Sequence, residues 1–211
     1  MLSAMVTRIS EPAVTLMRAA LRINAQARRR ARTLPALFFV TDEARIPDPV
    51  PVALRLPRGT GIIFRHYRAP DRAMLARRLA VIARARGLVL LIAADPALAR
   101  QVGAQGVHWP EALMHRASGR RRGVTTVAAH DGKALIRARM RGADAALLSP
   151  VFATRSGAEK RPLGLLRFAA LVHAARLPVY ALGGISSVTA KRLLRSGATG
   201  FAAIEAFISG S

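Results

Sequence analysis

The sequence predicts a single-domain (β/α)8 TIM barrel, and three observations indicate this fold class. Eight apolar, strand-like segments alternate with helical segments along the 211 residues, which is the pattern of strands that pair in parallel through helical crossovers. The last of these segments, Gly200–Phe207, is the eighth, whereas a flavodoxin-like sheet needs only about five strands. The first segment is not followed by the GxGxxG motif of a dinucleotide-binding sheet. A closed barrel therefore accounts for the chain better than an open doubly wound sheet.

The first element is a basic helix, and we predict that it forms a region of its own, residues 1–34, ahead of a barrel that spans 35–211. The segment Glu11–Arg32 contains no glycine, one proline in its first turn and apolar residues at helical spacing. The sequence stops a few residues after the eighth predicted strand, so the pattern lacks an eighth helix. We expect Pro12–Ala31 to replace that helix and to lie beside the seventh.

The barrel elements then follow in order, each bounded by turn or capping residues. Asp71 and Asp95 stand where helices should begin, and Gly87 stands where one should end. The predicted strands are Ala36–Thr41, Ile62–Tyr67, Leu88–Ala94, Gly106–Trp109, Val124–His130, Ala145–Phe152, Val179–Leu182 and Gly200–Phe207. The predicted helices between them are a short one within Asp48–Leu56, then Asp71–Arg86, Ala97–Val102, Glu111–Arg116, Lys133–Arg141, Leu165–Arg176 and Val188–Arg195.

Composition narrows the classes of partner. Lys and Arg number 34 against 11 Asp and Glu, a formal net charge of +23, and such a field attracts nucleic acid, anionic lipid or phosphorylated metabolites. Nucleic acid is not favoured, because aromatic residues make up only 5% of the chain and form no stacking cluster. The longest apolar runs are too short to cross a bilayer, and the absence of Cys agrees with a reducing compartment. We expect a cytoplasmic protein without a membrane span, and a homo-oligomer stays open.

A glycine turn near the C-terminus predicts an anion site. Gly183 and Gly184 separate a β-rich apolar run from the amphipathic segment that begins after Ser187. Glycines allow backbone N–H groups to approach an anion closely, and the amides that open a helix carry partial positive charge. A plain strand-to-helix turn explains the same two residues without any ligand.

Candidate site residues lie at the carboxyl ends of the predicted strands, where barrel active sites are found. His130 is a candidate acid/base near neutral pH, Arg65 is a candidate anion ligand, and Thr154 and Ser156 complete a phosphate cradle with the glycine turn. Each histidine alone is equally consistent with a hydrogen-bonded structural residue. No constellation is typical of a metal site. The polar residues at these ends are Asp42, Arg65, His66, Tyr67, Asp95, His108, His130, Ser149, Thr154, Arg155 and Ser156.

Several stretches together resemble the thiamine-phosphate synthase/TenI superfamily, barrels that act on thiazole phosphate in thiamin biosynthesis. The resemblance runs from Leu37 to Phe207. Its motifs are LFFVTD at 37–42, IIFRHY at 62–67, VGAQGVHW at 102–109, VAAH at 127–130, GADAALLSPVFATRS at 142–156, and VYALGGI followed by GFAAIEAF at 200–207.

The departures from the family pattern concern the pyrophosphate and the metal. The resemblance implies Gln, Arg and Lys on strand two, but only the arginine, Arg65, is present. It implies Asn-Asp after strand three, with the Asp as a Mg²⁺ ligand, and the matching residues are Ala93 and Ala94. It implies a second metal-binding Asp after strand four, and the approximate position, near Leu113, has no carboxylate. The strand-five Ser is matched by Ala128, and a Lys after the Thr-x-Thr loop by about Gly157, with Lys160 close by.

The resemblance therefore favours a metal-independent, TenI-like thiazole tautomerase without a cofactor. It implies His130 as the proton shuttle, and Thr154, Ser156, the two glycines and the backbone at Ile204 and Glu205 as the thiazole-phosphate site. Glu205 stands where the family commonly has a small Ser, and an acid beside a phosphate dianion is repulsive. The alternatives are thiamine-phosphate synthase activity and a non-catalytic protein that binds phosphorylated ligands or nucleic acid.

Overall fold

The strands close into a barrel in the order in which they occur in the chain. The computed structural model describes residues 11–26, 34–117, 123–154 and 161–207. Within these residues, every strand pairs in parallel with its sequence neighbours, and the eighth pairs with the first. The (β/α)8 prediction is confirmed. The strands are β1 Leu37–Val40, β2 Gly61–Phe64, β3 Val89–Ala93, β4 Gly106–Trp109, β5 Val124–Ala129, β6 Ala145–Leu148, β7 Val179–Leu182 and β8 Gly200–Ala203.

Helices cover the outside of the barrel. They are α1 Glu11–Gln26, α2 Val50–Ala53, α3 Arg72–Arg86, α4 Pro96–Val102, α5 Gly132–Met140, α6 Gly164–Ala175 and α7 Ser187–Arg192. The predicted helix Glu111–Arg116 is a 3-10 helix, and a second 3-10 helix covers Glu205–Phe207. Gly87 ends α3 in the left-handed conformation, as predicted, and Asp95 caps α4 by accepting from the Leu98 amide at 2.9 Å. Asp71 precedes α3 but makes no capping hydrogen bond.

The N-terminal helix takes the place predicted for it. α1 packs against α7, β8 and β1, and its buried residues Leu16, Ala20 and Ile23 belong to the same apolar cluster as the outer face of the barrel. The Asn24 side-chain amide donates to the carbonyl of Thr199, just before β8, at 3.1 Å. This helix therefore covers β8 and β1. Residues 27–33 lie outside the described part of the chain.

Two aromatic rings fill the interior near the amino ends of the strands. Phe38 and Tyr180 meet edge to face with ring centroids 5.0 Å apart, and the Tyr180 hydroxyl donates to the Pro35 carbonyl at 2.7 Å. Burial raises the pKa of Tyr180 above its usual range. A Cβ at Gly61 would overlap the Phe38 ring. These contacts close the amino end of the barrel and leave the carboxyl end to form the site.

Three strands end three or more residues earlier than predicted. β2 ends at Phe64, where the Arg65 amide donates to the Thr41 hydroxyl at 2.8 Å. β6 ends at Leu148 and β8 at Ala203. Beyond β6 and β8, apolar residues such as Val151 and Phe207 remain buried in the rim, so hydrophobicity alone does not mark the strand ends. In the described residues, no helix is long and apolar enough to span a membrane.

Candidate active site

The register of the sheet places the loops after β7 and β8 side by side. Leu182 is paired with Ala202, so continuing the register sets Gly183 level with Ala203 and Gly184 level with Ile204. Neighbouring strands are about 4.8 Å apart. The glycine turn and the Ile204 backbone therefore belong to one surface of the rim.

The glycine turn has a conformation and a packing that only glycine satisfies. Gly183 has φ +93° and Gly184 has φ +66°. A Cβ on Gly184 would lie 2.5 Å from the Ala153 carbonyl oxygen, and a Cβ on Gly183 would lie 2.9 Å from Pro150 Cα and 3.4 Å from the methyl group of Thr154. Positive φ is costly for residues with a Cβ. The turn is thus pressed against the loop that follows β6.

Hydrogen bonds hold the turn through its carbonyls. The amides of Val151 and Phe152 donate to the carbonyls of Leu182 and Gly183 at 3.0 and 3.1 Å, and the Thr189 hydroxyl donates to the Gly184 carbonyl at 2.8 Å. Among the described residues, no acceptor takes the amides of Gly183 and Gly184. Two N–H groups at a half-exposed rim are therefore available to an anion. Ser156, the other predicted cradle hydroxyl, and Arg155 lie outside the described residues.

Glu205 does not continue β8, which corrects the expectation that it belongs to that strand. The strand ends at Ala203, and Glu205 begins a 3-10 helix. Its carboxylate forms an ion pair with Arg45, in the loop after β1, at 3.4 Å. The neighbouring strands β1 and β8 explain this contact, because Phe39 is level with Ala203. Among the described residues, Arg45 is the cation that pairs with this carboxylate.

His130 is half-exposed at the end of β5 and belongs to a relay of three side chains. Its Nδ1 lies 2.6 Å from Glu111 Oε2, and Glu111 Oε1 accepts from Arg137 Nη2 at 2.8 Å. Glu111 opens the 3-10 helix after β4, and Arg137 lies on α5. Within the described chain, Nε2 of His130 makes no hydrogen bond. The sequence marks His130, but it gives no signal that Glu111 and Arg137 are its partners.

His108 is a buried structural residue at the floor of the rim. Only 4% of its surface is exposed, and its Nδ1 lies 2.9 Å from the Thr126 hydroxyl on β5. Burial, with a smaller contribution from the positive charge of Arg65, lowers the pKa of His108 to about 3. The imidazole is therefore neutral at physiological pH. His66 is likewise buried, with its ring nitrogens bonded to the Thr41 hydroxyl and the Ile46 carbonyl.

The remaining predicted rim residues are dispersed around β1 and β2. Asp42 Oδ1 accepts from the amides of Ala44 and Arg45 at 3.2 Å each, which fixes the turn after β1. Tyr67 is 43% exposed and stacks against the guanidinium of Arg72. Arg65 follows the last residue of β2 and is half-buried, and its positive charge acts on His108.

Arg72 is a rim residue that the sequence did not single out. Its guanidinium donates to the carbonyls of His66 and Ala93, the latter at 2.8 Å, and lies over the ring of Phe64. Desolvation lowers its pKa, and the nearby Asp95, Tyr67 and Glu43 offset part of that effect. Through these two hydrogen bonds, Arg72 links the end of β2 to the end of β3, on the side of the rim that contains Ala93 and Ala94.

The residues on this side do not fit a divalent metal. Mg²⁺ requires oxygen ligands, mostly carboxylates, and the side chains at the end of β3 are methyl groups. Asp95 Oδ1 accepts from the Leu98 amide, and both oxygens of Glu111 are engaged by His130 and Arg137. Across the described residues, no three His, Cys, Asp or Glu side chains form a metal-binding group.

Comparison with known proteins identifies the family. A family model described as thiamine monophosphate synthase matches residues 37–207. A thiamine-phosphate synthase of Anaeromyxobacter dehalogenans is 34% identical over 197 residues, covering 88% of this chain and 85% of the relative. A thiamine-phosphate synthase of Chloroflexus aurantiacus is 30% identical over 185 residues, with coverages of 82% and 85%.

The fold likeness agrees with the sequence relatives. The solved structure of thiamine phosphate pyrophosphorylase from Pyrococcus furiosus superposes with a TM-score of 0.68 at 24% identity, covering 84% of this chain and 88% of that one. Since the family model spans the whole barrel and two relatives match most of its length, the chain belongs to the thiamine-phosphate synthase/TenI superfamily.

Proposed function

We propose that this protein binds thiazole phosphate and isomerises a thiazole carboxylate phosphate to its aromatic tautomer without a metal, with His130 as acid/base. The observation that carries the proposal is the 2.6 Å contact between His130 Nδ1 and Glu111 Oε2 at the half-exposed rim. A carboxylate on Nδ1 favours the tautomer in which that nitrogen carries the proton. Nε2 then holds the lone pair that can remove a proton from a ligand.

The relay supports both halves of a proton transfer. When Nε2 accepts a proton from a carbon of the ligand, the imidazole becomes a cation, and the adjacent Glu111 carboxylate stabilises it. Nε2 can then return the proton to a different carbon, which leaves the residue unchanged and completes an isomerisation. Arg137 holds the second oxygen of Glu111 and so fixes the direction of the first. A positioned acid/base of this kind contributes roughly 10²- to 10⁴-fold to a rate.

The glycine turn is the second part of the proposal, because it would anchor the phosphate. The Gly183 and Gly184 amides are available donors, and Thr154 lies against the same turn. Charge-assisted hydrogen bonds from backbone amides to an anion are among the stronger ones. A phosphate held here would leave the rest of the ligand at the rim that carries His130.

The experiment follows aromatisation of the thiazole tautomer by purified protein. We expect turnover by the wild type and a loss of about 10²-fold or more in kcat for His130→Ala. The kcat of Glu111→Gln should lie between those of the wild type and His130→Ala. Its pH profile should also shift, because a neutral amide stabilises the imidazolium less than a carboxylate does. His173→Ala, which alters an exposed histidine on α6, is the matched control and should behave as wild type. Equal turnover by His130→Ala and wild type would reject the assignment of His130.

A second candidate function is thiamine-phosphate synthase, which the names of the relatives favour. Arg65 is also present at the position of one pyrophosphate ligand. Against this candidate stand the methyl groups of Ala93 and Ala94 and the full engagement of Glu111. Supplying pyrimidine pyrophosphate, thiazole phosphate and Mg²⁺ tests it, since the tautomerase proposal expects no thiamine phosphate. Phosphate binding without turnover in either assay would instead support a non-catalytic binding protein.

A further inference from the structure

We infer that Arg45 is a specificity residue of the phosphate site, because it neutralises the Glu205 carboxylate that would otherwise repel a phosphate dianion. The inference rests on the proposed function, in that it assumes phosphate at the glycine turn. It adds a residue, Arg45, that neither the sequence motifs nor the glycine turn indicates.

The first step is the position of Glu205. Continued two residues past the Leu182–Ala202 pair, the register of β7 and β8 would set Ile204 level with Gly184, and Glu205 is the next residue of the chain. Its side chain is 41% exposed, and it remains at the surface of the rim. An unpaired carboxylate on this part of the rim would repel an anion held by the Gly183 and Gly184 amides, because like charges near a protein surface repel each other.

The second step is the position of Arg45. Its guanidinium contacts Glu205 Oε1 at 3.4 Å while 28% of its side chain stays exposed. The backbone that carries it is fixed, since the Arg45 amide donates to Asp42 Oδ1 and the Ile46 amide donates to the Asp42 carbonyl at 2.8 Å. Arg45 is therefore held beside β8 by a turn that belongs to β1. The ion pair neutralises the charge of Glu205 near the glycine turn. The partly exposed guanidinium of Arg45 keeps N–H groups that can donate to a phosphate.

The third step is the balance of effects. A half-exposed ion pair contributes little to folding. The main consequence of removing Arg45 is therefore expected in ligand affinity and not in stability. Replacing Arg45 leaves the Glu205 carboxylate unpaired. Replacing Glu205 in addition removes that negative charge, so phosphate affinity should recover.

The experiment measures binding of inorganic phosphate by calorimetry at low salt to the wild type, Arg45→Met, Glu205→Gln and the double variant. We expect Arg45→Met to weaken phosphate binding about tenfold, and Arg45→Met/Glu205→Gln to recover most of that loss. Glu205→Gln alone should bind at least as tightly as wild type. Arg100→Met, which removes an equal charge from an exposed site on α4, should change the affinity less than twofold. Thermal unfolding of every variant confirms that each one folds.

Two results would overturn the inference. If Arg45→Met binds phosphate as wild type does, Arg45 has no part in the site. If the double variant binds as weakly as Arg45→Met, the carboxylate is not the cause of the loss. If the wild type does not bind phosphate, both the phosphate site at the glycine turn and the role of the Arg45–Glu205 pair are rejected. The turnover measurements on the His130 variant test the acid/base role separately.

Discussion

Backbone groups shape the β6–β8 side of the rim, whereas side chains shape the β2–β4 side. On the first side, Gly183 and Gly184 present amides at positive φ and are clamped by the loop after β6. On the second side, Ala93 and Ala94 supply no ligand, and Arg72 occupies the backbone carbonyls there. A site made of main-chain amides persists as long as the turn keeps its conformation, while a site made of carboxylates disappears with single substitutions.

In the proposed function, this difference gives the two sides different chemistry. The donors proposed for the phosphate on the β6–β8 side are backbone amides, with Arg45 balancing the charge of Glu205. The β2–β4 side lacks the oxygen ligands that stabilise a departing pyrophosphate through a metal, so a reaction with large charge separation is not supported there. His130 lies between these two sides, at the end of β5. A proton transfer by His130 needs neither a metal nor a pyrophosphate ligand.

The largest expected effect comes from placing a side chain in the glycine turn. Gly184→Ala adds a Cβ 2.5 Å from the Ala153 carbonyl oxygen at φ +66°, which combines conformational strain with a backbone clash. We expect a loss of about 3 kcal/mol in the free energy of unfolding, measured by urea denaturation, together with weaker phosphate binding.

The matched control for this substitution is Gly164→Ala. Gly164 has φ +71° and nothing within 4 Å of a built Cβ, so only the strain remains, about 1 kcal/mol. Equal losses for the two variants would show that the contact with the β6 loop contributes nothing, and the description of a clamped turn would fail.

On the β2–β4 side, Arg72→Met should destabilise the fold and leave the phosphate site intact. The substitution leaves the Ala93 carbonyl without its donor and removes a guanidinium stacked on Phe64. We expect a loss of about 2 kcal/mol in unfolding free energy. Arg68→Met, in an exposed neighbour, should lose less than about 0.5 kcal/mol. A marked loss of phosphate affinity in Arg72→Met would contradict the separation of the two sides.

The buried His108 predicts how stability depends on pH. Its pKa is about 3 in the folded protein against 6.5 for the ordinary side chain, so the unfolded chain binds a proton below pH 6.5 that the folded chain refuses. Stability from this residue is complete above pH 6.5 and falls by about 1.4 kcal/mol per pH unit below it, until pH approaches 3.

The measurement is the unfolding free energy at pH 7 and at pH 5 for wild type, His108→Gln and His115→Gln. Wild type should lose about 2 kcal/mol more than His108→Gln between these two pH values. His115 is exposed, and its variant should follow wild type. If the two variants show the same pH dependence, His108 is not the group responsible.

Local patterns predicted the barrel and located two parts of the candidate site. Each strand coincides with an apolar run, and the glycine turn and His130 could be identified from their places at strand ends. The pairs Glu111–His130 and Arg45–Glu205 join residues on separate loops, and their geometry depends on where each strand stops. The apolar run through Phe207 concealed the end of β8 at Ala203, and so the direction of Glu205 could not be predicted.

The smallest expected effect concerns Ala94, a non-glycine residue at φ +58°. Ala94→Gly relieves the left-handed strain but gives the unfolded chain more freedom, so we expect a change within about 1 kcal/mol of zero, on the stabilising side. Ala93→Gly, in a fully buried residue at the end of β3, should destabilise. Thermal denaturation ranks the two, and a clear loss for Ala94→Gly would contradict the conformation assigned to this side of the rim.

The most direct test of the account is the metal dependence of thiazole aromatisation. The wild type is assayed with the thiazole tautomer in excess Mg²⁺ and in excess EDTA, under otherwise identical conditions. The β6–β8 side and His130 are sufficient in our account, so the two rates should be equal within error. A rate that falls tenfold or more in EDTA and returns with Mg²⁺ would show that the rim holds a working metal site and would contradict the account.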